Sequence, residues 1–153
     1  MDYPLPEGRI TLPQGFEDRS VNMFILGSSI PAPLSITLSR DNTLPGEELN
    51  TYFERQIKLI SAKYKGYTVL GRSAAALSQA QPLPGLQVDA YFFNDRQAFF
   101  QRQAAFEVQP GRVLVFSTTR PGEFSAKQNT DWLTLLNSFV PEPGPTATAS
   151  EQE

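Results

Sequence analysis

The sequence predicts an α+β domain, a curved antiparallel β-sheet carrying two main helices. Three observations predict it. Short apolar segments bounded by turn residues fill most of the chain, two stretches switch to helical spacing, and 13 prolines with 10 glycines among 153 residues cut the remainder into strand-length pieces. The order reads βββ-α-ββββ-α, a pattern of antiparallel pairing with helices laid on the sheet. One domain is expected over residues 1–140, followed by a tail at 141–153.

Arg9 to Leu12 reads as a short strand stopped by Pro13. In the next strand Val21, Met23 and Ile25 alternate with Asn22, Phe24 and Leu26, and both sets are largely apolar, so cover on both faces is expected. Gly27-Ser28-Ser29 and Pro31-Ala32-Pro33 form a loop. Leu34, Ile36 and Leu38 then alternate with Ser35, Thr37 and Ser39, giving one apolar and one polar face.

The first helix spans Gly46 to Tyr64, with Leu49, Tyr52, Phe53, Ile57, Ile60 and Tyr64 on one stripe. Pro45 stands near its first turn, Glu47 and Glu48 suit the positive end of its dipole, and Gly66 follows its last periodic residue. Thr68 to Ala76 reads as a strand and Ser78 to Pro84 as a loop. Leu86 to Phe93 and Ala98 to Val108 are aromatic-rich strands joined at Asn94-Asp95-Arg96, a hairpin signal. Pro110-Gly111 turns the chain into Arg112 to Thr119. The second helix places Trp132, Leu135, Leu136, Phe139 and Val140 on one stripe and ends at Pro141. The tail beyond, rich in Pro, Gly, Thr, Ala, Ser and Glu, has nothing to bury and is expected to be disordered.

Composition excludes much chemistry. The chain contains no Cys and no His, which removes disulfides, thiol nucleophiles, His-based triads and soft or imidazole metal ligands. With 13 Lys+Arg against 16 Asp+Glu, a net charge of −3 and no basic run, nucleic acid is not an expected partner. The acidic, proline-broken start Met1 to Gly8 lacks the apolar core of a signal peptide, and Met23 to Leu26 is far short of a spanning helix. A cytoplasmic protein that does not itself insert into a membrane is expected.

Catalytic candidates are weak. Glu17-Asp18 suits a solvated loop, Glu47-Glu48 a helix start, and Asp89 and Asp95 edge or turn positions. The carboxylates are scattered, and no glycine-rich loop resembles a phosphate cradle. No cofactor and no metal are expected, and the chain reads as a poor enzyme. Gln56 is unusual because it lies on the apolar stripe of the first helix. Its amide either satisfies itself on a neighbouring strand or at the stripe's edge, or meets a ligand that supplies partners. Gln101 and Gln103 share a strand face with Phe99 and Ala105, while Arg102 alternates with them. Val21, Met23 and Ile25 form a second apolar surface, which is a partner site or dimer seam unless this chain's own loops cover it.

Several spaced segments carry a resemblance. They are Leu12-Pro13, Asp18 to Phe24, Ile36 to Asp41, Arg55-Gln56, Gly66-Tyr67, Arg102-Gln103 and Val140-Pro141. In this order and spacing, from about Tyr3 to Pro141, the chain resembles the Eag family of effector chaperones of bacterial type VI secretion, within the DcrB-related group. The resemblance implies a DcrB/Mog1-like fold and a cytosolic homodimer. It also implies an apolar groove that binds the hydrophobic N-terminal transmembrane helices of a secreted toxin before export. Position by position, Val21 and Met23 match groove residues of the first long strand, with Ile25 continuing their row. Gln56 and Gln103 match the family's two groove glutamines. On the next strand Ile36, Thr37 and Leu38 are candidates, and which of them face the groove stays open.

Three other readings remain. One is an envelope-associated DcrB-like protein, whose exported members need a signal sequence or lipidated Cys. Another is a small-molecule enzyme with a pocket beneath the aromatic hairpin. The last is an interaction module of similar architecture with another client, as in Ran-binding or photosystem-associated domains.

Overall fold

Alternating strands and two amphipathic helices make up the described residues, 1–28 and 33–141 of the computed structural model. Four strands come first: β1 (Asp2–Leu5), β2 (Gly8–Thr11), β3 (Asn22–Ile25) and β4 (Ser35–Asn42). Helix α1 (Leu49–Lys63) follows. Then come β5 (Thr68–Leu77), β6 (Leu83–Asn94), β7 (Gln97–Gln109), β8 (Arg112–Pro121) and helix α2 (Ala126–Asn137). β1 and β2 form a separate hairpin, and the other six strands make one curved sheet in the order β3-β4-β8-β7-β6-β5, antiparallel at every pairing.

Strand alternation sends successive side chains to opposite faces, and each face takes one helix. On one face Tyr52, Phe53 and Ile57 of α1 pack on Val88, Ala105 and Val113. On the other, Trp132 and Leu136 of α2 pack on Leu77, Ala104, Phe106, Leu114 and Phe116. Gly85 belongs to this second core because a Cβ there would meet the Phe106 ring at 2.3 Å. Gly66, at φ +66°, ends the run after α1 where a Cβ would lie 2.8 Å from Phe93. The β6–β7 hairpin closes on Asp95 and Arg96, both left-handed at φ 52° and 68°, as a type I′ turn requires.

Four expectations change. β1 was not anticipated, because Pro4 and Pro6 read as breakers. Met1 and Leu12 exchange both backbone hydrogen bonds, so in this register Pro4 directs its nitrogen away from the ladder and no bond is lost. β3 is not covered on both faces. Val21, Met23, Phe24, Ile25 and Leu26 are all exposed, since α1 and α2 pack over other strands and β3 ends the sheet.

Helix α1 begins at Leu49, not Gly46. Glu47 serves the preceding turn, accepting from the Leu44 N–H at 2.9 Å, and Glu48 is the N-cap without a side-chain bond. Helix α2 ends at Asn137. The Ser138 N–H closes on the Thr134 carbonyl at 3.0 Å, Phe139 packs on the core beyond the helix, and Val140 is exposed. Its start is a capping box, with Ser125 Oγ accepting from the Gln128 N–H and Gln128 Oε1 from the Ser125 N–H. Of the loop expected before β4, Ser29 and Pro31-Ala32 lie outside the described residues, as does the tail at 142–153.

Candidate functional site

Register alone decides which candidates meet. Paired residues in an antiparallel ladder share a face. Ala105 pairs with Val115 and Val115 with Ser39, so the α1 face runs through the odd-numbered positions of β7, β8 and β4. Gln103 pairs with Ser117, Ser117 with Thr37, and Thr37 with Met23. Ile25 joins the same face opposite Ser35, which pairs with Thr119. Met23, Ile25, Thr37 and Gln103 therefore lie on one surface with Val21 in line. Ile36 and Leu38 lie on the opposite face, and Leu38 packs there against the α2 core.

Helix α1 covers only part of its face. Between α1 and the sheet opens a cavity of about 220 Å³, lined by Phe53, Gln56, Ile57 and Ile60 from the helix and Gln103, Ala105, Val115 and Ser39 from the sheet. Gln56 and Gln103, 47 positions apart in sequence, border the same space. Both are half-buried, and neither amide has a hydrogen-bond partner among the described residues. Beyond the cavity the face continues over half-buried Thr37, Ser117, Ser35 and Thr119 to the exposed row Val21, Met23 and Ile25. The result is a trough with one helical wall, a neutral floor of hydroxyls and amides, and an apolar outer rim.

Charge gathers at one end, where Arg19, Arg40 and Asp41 line the cavity, and all three are already engaged, Arg19 with Glu17 at 3.5 Å. Tyr52 donates its hydroxyl to Asp41 Oδ2 at 2.9 Å, and burial, with Asp41 adding to it, pushes the phenol above its usual range. Arg40 donates to Asn22 Oδ1 at 3.0 Å and to the Ser20 carbonyl at 3.4 Å. Asp18 accepts from the Ser20 N–H at 3.0 Å and from its hydroxyl, which holds the carboxyl below its usual range. The segment Asp18 to Asn22 thus fixes how the chain enters β3. Arg55, beside Gln56, faces away and grips Glu47 through two bonds of 2.9 Å; with the Leu44 N–H this lowers the Glu47 carboxyl to about 2.

The opposite face holds a second cavity of about 500 Å³ beneath the aromatic hairpin, lined by Tyr91, Phe100, Arg102, Asp89 and Phe124 among others. Arg102 donates to Asp89 at 2.9 Å and lies over the Phe124 ring at 4.7 Å. Asp89 and Arg102 therefore answer each other. Among the described residues no group of three or more His, Cys, Asp or Glu could hold a metal ion, and no helix is long and apolar enough to cross a membrane.

Sequence reasoning missed Ser35, Ser39, Ser117 and Thr119 as floor residues. The polar alternation of β4 was visible, but only the order of the strands shows which helix shares that face. Gln101, two residues from Gln103 on the same face, is buried beside Thr119, and its Oε1 has no partner among the described residues.

Comparison with known proteins agrees with this architecture. The family model described as DcrB matches residues 7–138. Effector EagT6 of Pseudomonas aeruginosa is 24% identical over 144 residues, covering 94% of this chain and 97% of the relative. The crystal structure of a protein of unknown function from Pseudomonas aeruginosa superimposes with a TM-score of 0.72 at 22% identity, over 94% of this chain and 98% of that one. It shares the fold.

Proposed function

The chain belongs to the DcrB family, and we propose that it is a cytoplasmic chaperone for a type VI secretion effector. In this reading it holds the effector's hydrophobic N-terminal transmembrane helices in the trough beside α1 until export, and it acts as a homodimer. One observation carries the reading: Gln56 and Gln103 converge on one cavity without hydrogen-bond partners among the described residues, between a neutral floor and an exposed apolar rim. The likeness to Effector EagT6 supports an effector as the client.

The chemistry of such a client fits. A transmembrane segment exposes about 20 apolar residues, which aggregate in water. Contact with Val21, Met23 and Ile25 removes apolar surface from water at roughly 25 cal/mol per Å². The unbranched Met23 side chain adapts to differing helices. Membrane helices present small residues that let another surface approach their backbone and their Ser or Thr oxygens. A glutamine amide meets those groups with a donor and an acceptor. A charge in its place would cost far more to desolvate.

Co-expression with the N-terminal segment of a type VI secretion effector that carries apolar, membrane-spanning helices tests the reading. Gln56→Ala and Met23→Asp are expected to leave the circular dichroism spectrum unchanged and to lower recovery of that segment. Full recovery with both variants would refute it and would leave a DcrB-like interaction domain with another client.

A further inference from the structure

The two margins of the sheet are built differently. At the β5 margin a bulge between Val69 and Gly71 breaks the ladder, and Arg72 holds Glu54 through two bonds of 3.0 Å. Bulges and charged side chains are the usual means of preventing a margin from pairing. The β3 margin has neither: Asn22-Met23-Phe24-Ile25 carries no charge, no proline and no bulge. Its five apolar residues from Val21 to Leu26 are exposed by 47% to 67%.

One hydrogen bond tells which backbone groups face outward. The Leu26 N–H donates to the Leu34 carbonyl at 3.0 Å. In the same register Asn22 pairs with Leu38 and Phe24 with Ile36, so the even-numbered residues turn their N–H and C=O toward β4. The N–H and C=O of Val21, Met23 and Ile25 therefore point away from the sheet, three donors and three acceptors in a row.

We propose that this margin pairs antiparallel with the same margin of a second copy, about a twofold axis at Met23. This deepens the homodimer reading above and rests on it for the role of the second copy, while the pairing itself stands on the backbone geometry. Centred there, Met23 faces Met23, Val21 faces Ile25, and every outward amide is satisfied at once. Centring on Phe24 would set Val21 against Gly27, whose φ of +76° turns the chain out of the strand. The contact is self-complementary, as a twofold interface requires. The contact is made by the backbone: the three outward donors and three outward acceptors of each copy form six hydrogen bonds, while the side chains of Val21 to Leu26 stay on the two faces of the joined sheet. Paired residues share a face, so the two trough floors would lie on one side of a continuous sheet, separated by a ridge of Val21, Met23 and Ile25.

A single cysteine tests the register, because the chain has none of its own. Hydrogen-bonded antiparallel partners lie about 5.5 Å apart at Cα, inside the roughly 4.4–6.8 Å that a disulfide spans. Oxidised Met23→Cys is expected to run on a non-reducing gel at twice the chain mass of 17.0 kDa. Leu70→Cys, similarly exposed on the guarded margin, is expected to stay single. Met23→Pro removes an outward N–H without touching the β4 ladder and is expected to halve the mass seen by light scattering. A monomer mass for the unmodified chain, or equal crosslinking at Leu70→Cys, would overturn the pairing. Effector recovery is measured with the unmodified chain in parallel. Lost recovery with specific Met23→Cys crosslinking refutes the chaperone reading alone, and intact recovery without crosslinking refutes the pairing alone.

Discussion

The hydroxyl of Tyr52 donates to the Asp41 carboxylate at 2.9 Å, and through this bond helix α1 is tied to strand β4 across the closed end of the trough. Tyr52 is among the most buried side chains of the protein, at 2% exposure, so the helical wall is fixed at its N-terminal half. The floor and the wall therefore keep a set separation.

Tyr52→Phe keeps the packing and removes that bond, leaving Asp41 with one donor fewer. Hydrogen bonds to charged groups are worth about 1.5–3 kcal/mol, so a lower urea midpoint with an unchanged slope is expected. An unchanged midpoint would show that the bond contributes nothing.

Stability should also fall in acid through Glu47. Its ordinary value of 4.5 drops to about 2 in the folded chain, because Arg55 and the Leu44 N–H both favour the carboxylate. A depressed carboxyl stabilises above the unfolded value and loses that contribution as pH falls from 4.5 toward 2. Denaturant midpoints measured between pH 6 and pH 2 should decline less steeply for Glu47→Gln than for the unmodified chain. Parallel curves would exclude Glu47 as a source of the decline.

The hairpin turn offers a gain. Arg96 is left-handed at φ 68°, a conformation that costs a non-glycine residue about 1–2 kcal/mol. Arg96→Gly is expected to raise the melting temperature by a few degrees, about 2–4 °C per kcal/mol at this chain length. A fall in melting temperature would mean that the Arg96 side chain contributes more than the turn strain costs.

Ser117 probes the trough floor directly. It sits between Gln103 and Thr37 on the open part of the α1 face and is half-buried. Ser117→Leu should fill the floor while leaving the core untouched, so effector recovery should drop with no loss of stability. Recovery equal to that of the unmodified chain would place the client elsewhere.

Local signals carried the fold further than they carried the site. The stripe of α1, the aromatic hairpin and the Pro110-Gly111 turn all follow from spacing and turn chemistry, which act between near neighbours. The β1 strand did not, because a proline breaks a ladder only when its nitrogen faces the partner, and facing depends on register. The burial of β3 was misjudged for a related reason: an apolar strand looks alike whether it lies in the middle of a sheet or at its margin. For the site, Gln56 stood out on its stripe, yet its meeting with Gln103 depends on the strand order β4-β8-β7. Thr37 could not be separated from Ile36 and Leu38 until its pairing with Met23 was known. The Ser125 to Gln128 capping box was readable and overlooked.

The bulge at Val69 to Gly71 has a bearing on how far assembly can go. A sheet with two receptive borders can recruit molecule after molecule into a fibre. With one border kinked and charged, growth has nowhere to continue once the other is taken, so a sticky strand can be kept on display without turning the protein into an aggregate.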